Sequence, residues 1–287
     1  MQYASLMKEK MYRVFGSIGS SGLMPVAVIM LHLCLFPAGV HAEVYTNYFT
    51  PSSPKPEPFS IGLGDTFQSV LVDNQSEITM TGGSILAVNL PFTRSALRLV
   101  EQSKAYIYDG LLRVRDDDHN GFGLMHPLFL ENGSQATIYG GTFESYGSSS
   151  HAAQITKWSK VVIEGGTFIA HDTDALYLWQ DGEVIIKGGT FTTDSTNPLT
   201  VELYIRDGSA EVHAKEILLD GIPITPGPIT QSMGVLTITY ADDSVESASY
   251  RIGSSGSVKY VLVPEPTSSI LLMLLLMRRI GWRSNVV

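Results

Sequence analysis

Tyr146, His171 and Asp194 follow one another at intervals of 25 and 23 residues. A phenol, an imidazole and a carboxylate in one column could hold a saccharide by stacking and hydrogen bonds, or act as acid and base on a glycosidic bond. Asp172 and Asp174 lie beside His171 and add two further carboxylates. If the chain is an enzyme, the candidate catalytic set is His171, Asp172, Asp174 and Asp194. The plainer reading is a polar loop edge, because turns gather such residues for conformational reasons.

A second group offers metal chemistry. Arg113 and Arg115 lead into Asp116-Asp117-Asp118-His119-Asn120-Gly121. Asp116, Asp118 and Asn120 around a glycine turn are hard oxygen donors in the spacing that opens a calcium loop. The twelfth position is Pro127 where a bidentate glutamate belongs, so a solvated insertion is the competing reading. Calcium is the one cofactor the sequence suggests. No Gly-x-Ser-x-Gly, phosphate loop or zinc spacing is present. Trp158 and Trp179 read as coil-edge aromatics, and either could stack on a sugar.

An internal repeat must position these groups. Gly-Gly-Thr-Phe occurs at 140–143, 165–168 and 188–191, and a period of this size signals a solenoid. Counting from the first glycine, the residues at minus four and minus two are Ala136 and Ile138, Val161 and Ile163, and Val184 and Ile186. Strand alternation puts both positions inside. Weaker copies place Ile78 and Met80, Ala105 and Ile107, and Ala210 and Val212 in the same register. Minus six is always small: Ser76, Ser103, Ser134, Ser159, Gly182 or Gly208. The expected fold is all-β: a right-handed parallel β-helix of about six coils with a small C-terminal β-hairpin cap. Phe143, Phe168 and Phe191 should stack inside it, and Glu164 should face Lys187 outside.

The organisation follows. Residues 1–42 have the basic start, apolar run and small-residue end of a secretory signal. Residues 43–69 form an arm or cap, 70–222 the β-helix, 223–262 the C-terminal cap and 263–287 a tail. The one cysteine, Cys34, falls inside the leader, so packing rather than disulfides must stabilise the exported chain. Without residues 1–42 and 267–287 the chain keeps 13 basic and 27 acidic residues, a net charge of −14. Such a surface disfavours nucleic acid and suits neutral sugars or cations.

The tail carries a family resemblance. Pro264-Glu265-Pro266, an apolar stretch from Ile270 to Met277, and Arg278-Arg279 resemble the PEP-CTERM sorting signal. The resemblance implies processing by an exosortase-type membrane enzyme, with transient membrane contact through the tail. It also implies delivery to the surface or exopolysaccharide matrix of a Gram-negative-type bacterium. The glycine-rich repeats are similar to those of PEP-CTERM surface proteins. The eleven residues from Thr267 to Met277 make about 16 Å of helix, short of the roughly 30 Å hydrocarbon core, so the tail is a signal before it is an anchor. The function expected is structural or adhesive; the alternative is a carbohydrate-active β-helix enzyme, a polysaccharide lyase or glycoside hydrolase. Asp116 and Asp117 resemble the paired aspartates of polygalacturonases, but that family's companion Asn-x-Asp, Gly-His-Gly and Arg-x-Lys motifs are missing.

Overall fold

The structure, a computed structural model, describes residues 44–46, 59–73, 75–88, 95–115, 126–147 and 150–264, which form strands and turns without a helix. Residues 1–42, expected to be a secretory signal, the Asp116 to Asn120 loop, and Glu265, Pro266, Arg278 and Arg279 lie outside the described residues.

Each coil contains three short strands on three faces. In the coil that carries His171 they are Lys160–Ile163, Thr167–His171 and Leu176–Leu178. Each pairs in parallel with its equivalent one coil before and one coil after. Ile163 stands between Ile138 and Ile186, Phe168 between Phe143 and Phe191, and Leu178 between Ile155 and Ile205. The chain is a right-handed parallel β-helix. Parallel pairing already begins at Val44–Thr46, against Thr66–Val72, and continues with Phe59–Ile61 against Ile78–Met80, where Ile61 is an inward, fully buried side chain.

The interior follows the alternation. Ala136, Ile138, Val161, Ile163, Val184 and Ile186 are all buried on the first face, as are Ile78, Met80, Ala105, Ile107, Ala210 and Val212. On the second face the rings of Phe143 and Phe168 stack at 4.6 Å, and those of Phe168 and Phe191 at 5.0 Å. Burying each ring is worth roughly 2 to 3 kcal/mol. Small residues, Ala87, Val114, Ser145 and Ala170, occupy the next inward position, so a large layer alternates with a small one. Outside, Lys187 Nζ lies 2.7 Å from Glu164 Oε1, as the register demands.

The glycine pairs make the corner between the first two faces. A Cβ on Gly140, Gly165 or Gly188 would stand 2.5, 2.7 or 2.3 Å from a backbone oxygen of the preceding coil. The second glycine of each pair has a φ of 95° to 104°. Both demands exclude a side chain. The corner between the third face and the next coil is a tight turn with two left-handed residues, such as Lys157 and Trp158 at φ 49° and 61°. The Ser159 amide closes that turn on the Thr156 carbonyl. The serines at its end stack inside, with Ser134 Oγ donating to the Leu99 carbonyl and lying 3.3 Å from Ser159 Oγ.

After Ala214 the chain leaves the solenoid and returns. Met233–Thr239 and Val245–Ile252 form the expected antiparallel hairpin around Ala241-Asp242-Asp243-Ser244. The second hairpin strand also extends the third face in parallel with Leu203–Ile205. Ser257–Leu262 likewise extends the first face beside Ser209–Ala214. Met233–Thr239 and Gly227–Ile229 then cover those two edges antiparallel. On the second face the Phe191 amide donates to Glu246 Oε1 at 3.2 Å.

A histidine pair, His126 buried and His151 largely covered, lies where the third face begins. His126 and His151 stack at 5.4 Å, and His151 stacks in turn on Tyr177 at 4.4 Å. Burial drives both imidazoles down, His126 well below its ordinary value and His151 to about 4. Such rings bind fewer protons folded than unfolded, so stability is full above about pH 6.5 and is lost as pH falls towards 4. By pH 4 the His151 contribution alone amounts to a loss of about 3 kcal/mol. Denaturant titrations across that range should show this slope, and His151→Gln should flatten it.

The inward register has its own test. Ile163→Asp puts an unpaired carboxylate into the core and should cost more than about 4 kcal/mol; Val162→Asp, on the outer surface of the same strand, should cost about 1 kcal/mol or less. Similar losses in urea melts of the two variants would refute the register.

Candidate functional site

The site is built on the outer side of the second face. The strands Lys104–Arg115, Thr142–Tyr146 and Thr167–His171 run side by side, with Arg113 paired to Glu144 and Arg115 to Tyr146, and Tyr146 to His171. Asp194 continues the last column just beyond Thr190–Thr193, its amide donating to the Ala170 carbonyl. Since Phe143 and Ser145 point inward, Glu144 and Tyr146 must point outward.

These side chains join one network. The Tyr146 and His171 rings are stacked at 4.1 Å, and the Arg115 guanidinium lies 6.0 Å from the Tyr146 ring centre. His171 Nδ1 is 2.6 Å from Asp194 Oδ2, and Nε2 is 3.4 Å from Glu144 Oε1. Glu144 also accepts from Arg113 Nε at 2.6 Å and from the Tyr146 hydroxyl at 2.6 Å. Its side chain is only 11% exposed, whereas that of Asp194 is 64% exposed.

The electrostatics fix the roles these groups can take. Burial alone would push the Glu144 carboxyl up, but hydrogen bonds from Tyr146, Arg113 and His171 outweigh it and hold it below the ordinary range. The His171 hydrogen bond likewise lowers Asp194. Tyr146 is raised, chiefly because its hydroxyl donates to Glu144. Both carboxylates beside His171 are therefore kept ionised. Asp194, the exposed carboxylate, can accept hydrogen bonds from sugar hydroxyls beside the edge of an aromatic stack. It holds no protonated carboxyl ready to donate to a leaving group.

The structure brings Tyr146, His171 and Asp194 together, with Asp172 exposed beside them in a left-handed conformation, φ 75°. Asp174 turns inward. It is 7% exposed, accepts from the Val201 amide at 2.9 Å and lies 3.9 Å from His151 Nδ1. Burial pushes its carboxyl up. Glu144 is the residue that the spacing of Tyr146, His171 and Asp194 does not reveal. Its signal was parity, since it stands two residues before Tyr146 on the same side of the strand. The same rule, counted from Asp109, which stands where the later coils have their first glycine, brings Arg113 and Arg115 into the two columns. Among the described residues no group of three or more His, Cys, Asp or Glu side chains is arranged to hold a metal ion.

No protein-family model, curated protein or solved structure matches the chain.

Glu144 is the centre of this network, so Glu144→Gln should release the Tyr146 phenol. Absorbance titration should find the tyrosine pKa moving down towards 10, while the fold, read by far-ultraviolet circular dichroism, stays intact. An unmoved phenol would show that Tyr146 is governed by something other than Glu144.

Proposed function

We propose that this chain is an exported bacterial surface or extracellular-matrix protein with a structural and adhesive role. Residues 1–42 direct it through Sec, and the Pro264-Glu265-Pro266 tail with Arg278 and Arg279 is read by an exosortase-type enzyme. The solenoid supports this reading as a scaffold whose site sits on strands. The observation that carries it is the pairing of Glu144 and Asp194, both held ionised around His171. Glu144 holds Tyr146 and His171 in place from beneath, and the exposed Asp194 carboxylate and the aromatic stack face a glycan, which is what retention in exopolysaccharide requires. The strongly acidic body favours neutral sugars over polyanions.

One observation favours a carbohydrate-active enzyme. The 2.6 Å contact between His171 Nδ1 and Asp194 fixes an imidazole as a base is fixed, beside Tyr146 and two arginines. A lyase would use such a group to take a proton.

A glycan array and a polysaccharide-cleavage screen on the mature chain, with and without calcium, separate the two. Binding without cleavage is expected, weakened several-fold by His171→Ala. Cleavage abolished by changing His171 or Asp194 would overturn the adhesive reading. A calcium-dependent gain in binding would assign the Asp116 loop to that ion.

A further inference from the structure

The turns joining the third face to the first form a ridge along the solenoid, and one of them is built against its own preferences. Their two left-handed positions hold Glu101 and Gln102, Asn132 and Gly133, Lys157 and Trp158, and Gln180 and Asp181. Left-handed backbone favours Gly, Asn and Asp; a bulky aromatic there is strained. Trp158 adopts φ 61° and is nevertheless 72% exposed, more than any described large hydrophobic except Leu63. It adds almost nothing to the core. A residue that costs the fold strain and gives it no packing is best explained by a ligand.

The register shows where that ligand would lie. Gln135 pairs with Lys160 and Lys160 with Glu183, so Gly133 and Asp181 occupy the positions beside Trp158 on the neighbouring coils. Gly133 has no side chain, and a Cβ added there would meet only Gln102 Cγ, at 3.6 Å. Gln102 leans over Gly133 from the far side, and no Trp158 atom comes within 4 Å of the added Cβ, so the bare backbone leaves its open space on the indole side, where one sugar ring can stack. Exposed Glu101, Gln102, Asn132 and Asp181 border it with hydrogen-bonding groups. The one cation of these turns, Lys157, is committed to Glu131 at 2.8 Å. With carboxylates at the rim and the ammonium engaged, uronates and sulfated sugars are repelled.

We propose that this ridge carries a binding slot for a neutral saccharide, one ring of which stacks on Trp158 over the bare backbone of Gly133. The slot deepens the adhesive reading and rests on it, and lies at a different corner of the coil from the His171 network.

The test uses the full chain and soluble glucan, mannan and galactan oligosaccharides. Tryptophan emission should shift on titration with at least one of them, and uronate oligomers should leave it unchanged. Trp158→Asn, which suits left-handed backbone, should melt at or above the wild-type temperature yet weaken binding at least about tenfold. Gly133→Asn keeps Trp158 and tolerates the turn but fills the gap, and should weaken binding too. A Trp158→Asn variant that melts well below wild type, or a preference for uronates, would overturn the slot. Neutral-glycan binding unchanged in both variants would remove the slot and leave the adhesive reading in place; no glycan binding by the wild type would remove both.

Discussion

Everything in this molecule depends on the strands of each coil finding their hydrogen-bond partners on neighbouring coils. A three- to five-residue strand has no stability alone, so successive coils must stack in register, and equivalent residues are forced to about 4.8 Å apart. Apolar side chains benefit from meeting their own kind at that distance, and Phe143, Phe168 and Phe191 do so. Like charges do not: at such a separation two exposed equal charges repel by about 1 kcal/mol even in water. The outer columns accordingly alternate. Lys160 meets Glu183, Glu164 meets Lys187, and Glu211 meets Lys259. On the third face the Arg251 guanidinium lies 4.0 Å over Tyr204, and that of Arg98 5.5 Å over Phe129.

The same constraint assembles the candidate site. Stacking alone would carry one residue type up a column, but here unlike groups follow in an order that pairs each with its neighbour. Arg113 precedes Glu144, while Arg115, Tyr146, His171 and Asp194 follow one another along the next column. Cation, phenol, imidazole and carboxylate each meet a complementary partner one coil on. The two columns are joined across a single strand by the Tyr146 to Glu144 hydrogen bond. Because every member sits on or at the end of a strand, the geometry is set by the ladder rather than by a loop, and no closing motion is needed to complete it.

Much of this was legible in the sequence, for a physical reason. Glycine pairs, the phenylalanine that follows and the aliphatics at minus four and minus two report requirements of the backbone and core, which recur unchanged in every coil. The third face was not legible. Its strands, such as Ala153–Ile155 and Leu176–Leu178, are three residues long, too short for alternation to show against the loops around them. Nor was the return of Val245–Ile252 and Ser257–Leu262 to the parallel ladders legible, since a hairpin strand and a solenoid strand share one alternating pattern. At the site, the column of Tyr146, His171 and Asp194 followed from the repeat, while Glu144 stayed hidden because a lone glutamate beside a phenylalanine resembles any solvated strand residue. Asp174 shows the opposite error: proximity in sequence to His171 suggested a shared surface, but the chain turns between them and buries it.

The C-terminal end of the solenoid shows how an open parallel edge is covered. An open parallel edge would recruit further strands from other chains. Here the segment after Ala214 leaves the coil and folds into antiparallel strands. It re-enters with Tyr240 and Tyr250 buried and Glu246 capping the Phe191 amide. Burial raises the Glu246 carboxyl, a cost offset by closing the edge of the second face. A chain with a single cysteine has no internal disulfide, so with that edge closed the ladders and the stacked core hold the solenoid together. The backbone corner and face recur at equal steps, but the side chains on them change from coil to coil, so the ladder sets the spacing while each coil sets its own chemistry.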